Sequence, residues 1–293
     1  MHDPNCGAIC SAVMETLATF VELIEAEAAW RDPAAFRWRA EAADRLELLM
    51  LGVPDEALVD RAVALVEAME AIDASGFAAM RDAIRRGEGR QAFAPWLDVG
   101  HPTGQHYDVL DHVLAGVLAL DEPDVEHPAP PPGMVFYQPS PARHIVDGVT
   151  RARIGPDDVV LDLGAGLGHV PMLVNVLTGA RTLGIEREAA YVACAGEAAA
   201  RLGLRDVSMA VGDARDADLS HANVLYLFTP FTGAILREVV ANIEREAHRR
   251  SLRIVTLGPC SRTFARMPWL RSDDPNPSAD DRIVVFRAGL PRG

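Results

Sequence analysis

The chain has 293 residues, a net charge of −14 and 49% hydrophobic residues. That length accommodates one large or two modest domains, and no apolar run approaches the ~18 residues a membrane span needs. Cys6, Cys10, Cys194 and Cys260 have neither zinc nor redox spacing, which argues against a disulfide or metal scaffold and makes a reducing cytoplasm the expected compartment.

The first residues carry Asp3 and no basic region, so no secretory signal is expected. Every basic residue is Arg, and the charge is uneven: residues 1–132 hold 9 Arg against 24 Asp and Glu, a balance of −15, whereas residues 133–293 balance at +1. An acidic module repels phosphate backbones, so nucleic acid is not an expected partner. Apolar residues recur at three- and four-residue spacing over 8–30, 34–51, 55–74 and 76–86, for example Leu17, Phe20, Val21 and Ile24. This predicts four helices, interrupted at Pro33, at Pro54 with Asp55, and at Ser75-Gly76. After an irregular stretch from Gly87 to Gly104, a further helix is predicted from about Gln105 to Leu120.

The polar cluster around that helix start includes His106, Tyr107, Asp108 and His112. Asp108 and His112 lie one turn apart, but His106 and His112 do not share a helical face, so no metal site is expected. His106 and Tyr107 are candidate substrate contacts. Residues 121–133 are acidic and proline-rich, which predicts a semi-rigid extended segment. The expected division is an acidic all-helical domain over 1–125, serving as a substrate cap or in homodimerisation, a linker over 126–136, and a second domain over 137–293.

In that second domain Ser140-Pro141 introduces a helix, and strands predicted near 159–163, 181–186, 207–211, 223–229 and 252–257 alternate with helices. Two further strands, near 264–270 and at 282–287, are joined as a hairpin by the loop 272–281. The expectation is an α/β fold with a doubly wound, mostly parallel, seven-stranded sheet. The first strand runs through Asp162 into glycines at 164, 166 and 168, and a helical pattern follows. Strand, glycine turn and helix let backbone approach a nucleotide-like ligand, because a side chain there would fill the space. The dinucleotide fingerprint requires a glycine at 169, where His169 stands. Glu186, at the tip of the next strand, is placed to accept both hydroxyls of a ribose, and Asp213, just past the third, to meet the amine of an adenine.

This ordered set resembles the class I S-adenosylmethionine-dependent methyltransferases over Val159 to Phe286. Within that class it is most similar to the disruptor-of-telomeric-silencing type of histone-lysine methyltransferase and to small bacterial proteins like it. The shared features are Tyr137 to Pro141, the Leu161-Asp-Leu-Gly-Ala-Gly segment, a polar residue at 169, Gly184-Ile-Glu186 and the strand ending at Thr229-Pro230-Phe231. The asparagine-rich motif and lysine-rich nucleosome-binding tail of those enzymes are missing, so histone lysine is not implied as substrate. The resemblance implies S-adenosylmethionine as cofactor, held by Tyr137, Asp162, Gly164, Ala165, Gly166, Gly168, Glu186, Asp213, Ala214 and Thr229. Asp162 would orient the glycine turn and the methionine amino group, and Tyr137 would cover the cofactor. Pro230 and Phe231 lie where an acceptor approaches the methyl group. The acceptor is expected to be an N or O nucleophile of a small molecule or protein side chain. The alternative is a protein that binds the cofactor without catalysis and acts through its acidic helices. No residue is identified as a catalytic base.

Overall fold

The computed structural model describes residues 16–123 and 133–289. Cys6, Cys10 and most of the proline-rich segment lie outside the described residues. Two compact units divide the chain, residues 1–78 and 79–293.

The first unit holds helices α1 (Leu17–Ala26) and α2 (Phe36–Met50) and most of α3 (Glu56–Arg85). Thr16 caps α1 through a reciprocal capping box with Thr19. Leu17, Phe20, Val21 and Ile24 pack with Trp30, Leu46 and Met69 in its core. The buried Arg39 donates through Nε to Asp73 (2.7 Å) and through its terminal nitrogens to the carbonyls of Trp30, Asp32 and Pro33. A buried guanidinium is tolerated because each face of the fork meets an acceptor. The helix break expected at Ser75-Gly76 is absent: α3 is a single helix of 30 residues. Gly76 serves packing instead, since a Cβ there would stand 2.9 Å from the Phe36 ring, which stacks on Phe77 at 5.3 Å. A helical glycine costs about 1 kcal/mol, less than burying an aromatic ring contributes.

The second unit continues with α4 (Gly89–Phe93), α5 (Val109–Leu118) and α6 (Ala142–Ala152). Helix α5 starts later than the sequence suggests because Asp108 is its N-cap. The Asp108 side chain accepts from Leu110 N–H, and Asp111 accepts from Asp108 N–H. Gln105, His106 and Tyr107 therefore lie in the preceding loop. The units part at 78 rather than in the proline-rich segment because this region packs on the α/β layers: α4 lies against α7 (His169–Thr178) and α5 against α6. The Asp111 carboxylate accepts from Ala142 N–H at 2.7 Å, and Gly104 C=O accepts from both Arg143 and His144 of α6.

The sheet comprises β1 (Val159–Leu163), β2 (Arg181–Glu186), β3 (Val207–Val211), β4 (Val224–Phe228), β5 (Leu252–Leu257) and β6 (Val284–Ala288), in the order β3-β2-β1-β4-β5-β6. All neighbours pair in parallel except β5 and β6. The expected seventh strand near 264–270 is not formed: α10 (Cys260–Phe264) and turns occupy that stretch, and only Arg271 bridges Arg287. Leu161, Leu163, Leu225 and Leu227 face one way, onto Val239, Val240 and Ile243 of α9 (Gly233–Ala247). The alternating residues Asp162 and Tyr226, in register with Gly184, face the other layer, where Gly148 of α6 approaches Tyr226 and Val255. Helix α8 (Ala189–Leu202) completes this doubly wound arrangement beside β2 and β3. Among the described residues no helix is long and apolar enough to cross a membrane.

The contact between α4 and α7 is tight enough to test. A Cβ on Gly89 would stand 2.7 Å from the Val176 side chain and 3.2 Å from its carbonyl oxygen. Gly89→Val should destabilise the protein by about 1–3 kcal/mol, the range for overpacking, read as a lower midpoint in urea unfolding.

Candidate functional site

Strand order reverses between β1 and β4, and open parallel sheets hold ligands in the crevice beyond the strand ends at that point. A cavity of about 330 Å³ lies there. Gly164 (φ +86°), Gly166 (φ +53°) and Gly168 (φ +78°) carry the chain from β1 into α7 through left-handed conformations. The space also requires glycine: a Cβ on Gly164 would lie 2.3 Å from Pro230, and one on Gly166 2.1 Å from the Tyr137 ring.

Glu186 holds this turn in place. Its carboxylate accepts the Gly166 N–H at 2.8 Å, the Arg187 N–H at 2.6 Å and the Glu188 N–H at 2.9 Å. Gly164 and Ala165 N–H groups both donate to the Ile185 carbonyl. Asp162, 4% exposed, lines the cavity and receives no hydrogen bond among the described residues. Burial, reinforced by the nearby Glu186 carboxylate, raises its pKa well above the ordinary range. Asp213 has the opposite environment. Arg215 binds it through Nε (3.0 Å), Nη2 (2.7 Å) and backbone N–H (2.9 Å), which holds its pKa down to about 2.

A strap over residues 133–140 closes one side. It is tied to the start of α9 by the Thr232 N–H to Gly133 C=O bond (2.7 Å) and the bridge from Met134 to Phe231. Tyr137 lies over Gly166, packs on Tyr191 with ring centroids 5.0 Å apart, and its hydroxyl meets His169 Nδ1 at 3.3 Å. Burial lowers the His169 pKa to about 4, so its imidazole is neutral at pH 7. Thr229, beyond β4, has φ +34°, an uncommon conformation for a β-branched residue. Its hydroxyl donates to Leu257 C=O (2.9 Å) and accepts from Cys260 N–H (3.1 Å), which fixes it in that conformation.

The cavity brings together Tyr137, Asp162, Gly164, Ala165, Glu186, Asp213, Ala214, Thr229, Pro230 and Phe231. Gly166 and Gly168 shape the turn behind it. His106 and Tyr107 do not line it: the Tyr107 hydroxyl instead donates to Pro139 C=O at 3.0 Å, tying its loop to the strap. The neighbouring Gln105 does line the cavity, as do His169, Tyr191 and the strap residues 134–136. Of these the sequence marks only His169, as a feature of the family resemblance, and gives no role to the others. Gln105 lay within the polar cluster, but no periodicity marks which member of a loop faces inward, and Tyr191 reads as an ordinary helical core residue. Among the described residues no group of His, Cys, Asp and Glu is arranged to hold a metal ion.

No protein family and no curated protein matches the chain. Among solved structures it is similar to an RNA methyltransferase from Salinibacter ruber in complex with S-adenosyl-L-homocysteine, at 23% identity, covering 53% of this chain and 95% of that one with a TM-score of 0.43. It is also similar to precorrin-6y C5,15-methyltransferase from Geobacter metallireducens, at 16% identity over 53% of this chain and 91% of that one, with a TM-score of 0.39.

The buried carboxylate predicts a pH-dependent stability. With its folded pKa raised, Asp162 costs nothing while protonated and destabilises the fold as pH climbs from the ordinary carboxylate range through the raised value. Asp162→Asn should therefore raise the melting temperature of the ligand-free protein at pH 7–8. The gain should vanish near pH 3, where both side chains are neutral, about one unit below the usual Asp value. A variant that melts no higher at pH 8 would contradict the assigned burial cost.

Proposed function

We propose that this chain is an S-adenosylmethionine-dependent methyltransferase acting on a nucleophilic nitrogen or oxygen of a small molecule or protein side chain. The observation that carries this reading is Asp162, a buried carboxylate without a protein donor among the described residues, beside a glycine turn held by Glu186. A lone buried carboxylate is costly unless a cation or donor meets it, and a ligand ammonium supplies both. The rest of the cavity fits the same cofactor. Glu186 offers carboxylate lone pairs to ribose hydroxyls, Asp213 an anionic acceptor to an adenine amine, and Gly164 a wall without side chain. Tyr137, over Gly166, covers the turn and excludes water.

When bound, the cofactor supplies a methyl group already activated by a sulfonium. The protein's part is then positioning and exclusion of water rather than covalent chemistry. Pro230, packed against Gly164, sets the wall between the β1 tip and the acceptor side, and Phe231 is buried beside it. The likeness to the telomeric-silencing type of enzyme rests on Tyr137 to Pro141, the segment from Leu161 to Gly166, His169, Gly184 to Glu186 and the strand ending at Thr229-Pro230-Phe231. Tyr137, Asp162, Gly164, His169, Glu186, Thr229, Pro230 and Phe231 of that set line this cavity, which supports the class. The acidic helical segment, residues 1–125, is proposed as a substrate cap or dimerisation module, and nucleic acid is not proposed as a partner, because the −15 balance of residues 1–132 would repel a phosphate backbone.

Calorimetry tests the reading. S-adenosylmethionine and S-adenosylhomocysteine should bind and NAD should not; tighter binding of NAD would overturn it. Glu186→Ala removes charge-assisted ribose hydrogen bonds and frees three backbone donors, so affinity should fall about ten- to hundredfold. Incubation with methyl-labelled cofactor and a metabolite extract should yield a labelled product, whereas a binding protein without catalysis would yield none.

A further inference from the structure

Among the described residues the charged side chains lining the cavity are Asp162, Glu186, Arg187 and Asp213, which belong to the tips of β1, β2 and β3. The side toward β4 and β5 is walled by Thr229, Pro230, Phe231 and Pro259, with Gln105 reaching in from the loop before α5. An incoming nucleophile there must give its N–H or O–H a hydrogen-bond acceptor, or that group loses its water partner without replacement. Thr229 cannot serve, since its hydroxyl donates to Leu257 and accepts from Cys260. Gln105 is free to do so. Its amide nitrogen donates to Asp280 C=O at 3.1 Å, and because that partner is a carbonyl, the orientation of the amide follows from chemistry. Its Oε1 receives no hydrogen bond among the described residues.

Gln105 also stands in the right neighbourhood. A Cβ on Gly258 would lie 2.6 Å from Thr229 Oγ1 and 3.6 Å from Gln105 Nε2, so both side chains crowd the same point past β5. The loop that carries Gln105 is fixed on α6 through Gly104 C=O, which accepts from Arg143 (3.0 Å) and His144 (2.6 Å).

From this we infer that Gln105 is an acceptor-binding residue whose Oε1 receives an N–H of the methyl acceptor, and that the acceptor is an amine nitrogen. The inference rests on the proposed methyl-transfer reading. An amide carbonyl orients a donor but takes no proton, and among the described residues no carboxylate or imidazole lines the β4 and β5 side. That suits a neutral amine, which attacks with its own lone pair: the N–C bond forms, the C–S bond breaks with its pair returning to sulfur, and the resulting ammonium sheds a proton to water. A hydroxyl nucleophile would need its proton removed at the site.

Sinefungin tests this without a known acceptor, because it carries an amine in place of the transferable methyl, whereas S-adenosylhomocysteine carries nothing there. Gln105→Met keeps the length of the side chain and removes its carbonyl. In calorimetry it should bind S-adenosylhomocysteine within about twofold of wild type and sinefungin about tenfold more weakly. Gln105→Leu provides a second variant should the first fail to fold. Equal changes for both ligands, or none for sinefungin, would overturn the role of Gln105 while leaving the cofactor reading intact. A wild-type protein that binds neither ligand would overturn both.

Discussion

Three backbone N–H groups converge on one carboxylate, that of Glu186, and the site depends on this convergence. Gly166 belongs to the turn after β1, and Arg187 and Glu188 to the turn after β2, so a single side chain ties two strand-to-helix turns together. The turn it holds passes through left-handed conformations that only glycine adopts without strain. With the turn held, Asp162 faces the cavity, Tyr137 closes over Gly166, and Pro230 occupies the space a Gly164 side chain would fill.

The carboxylates of the cavity illustrate how environment divides one chemical group into several roles. Asp213 is satisfied by its own Arg215 and stays ionised to low pH. Glu186 accepts two backbone N–H groups on Oε1 and one on Oε2, which leaves Oε2 a further lone pair. Among the described residues Asp162 is the carboxylate of this cavity that is buried without a protein donor, which makes it the group with most to gain from a cationic ligand. A buried carboxylate left unpaired in this way lowers the stability of the protein once it ionises. The left-handed backbone of Thr229 is sustained by two hydrogen bonds to the end of β5 and the start of α10.

The loop before α5 shows how a helical segment remote in sequence becomes part of an α/β site. Asp108 ends the loop by capping α5, Asp111 ties that helix to the start of α6, and Gly104 ties the loop to the first turn of α6. Tyr107 adds a bond to the strap. These ties come from polar groups at element ends, where backbone donors and acceptors have no partners within their own helix. The outcome is that Gln105 stands beside Thr229, 124 positions further along the chain.

Much of this was legible from local signals. Alternation and glycine punctuation placed β1 to β5 within a residue or so, and the strand ends identified Asp162, Glu186 and Asp213, because strand tips in an open parallel sheet are where ligands meet the protein. The glycines at 164, 166 and 168 were readable for the same local reason: a left-handed turn writes itself as glycine. Contacts between distant segments were not readable. Gly76 looked like a helix break because its partner, the Phe36 ring, lies 40 residues away. The stretch 264–270 looked like a strand because it is apolar, yet its residues pack as α10 and turns against the sheet face instead of extending its edge. The assignment of α4 and α5 to the second unit, and the choice of Gln105 over His106 and Tyr107 as the residue facing the cavity, were decided by tertiary structure alone. Local sequence records which backbone conformations a segment prefers, whereas the inward-facing member of a loop is selected by hydrogen bonds and packing from partners that the chain supplies only once it has folded.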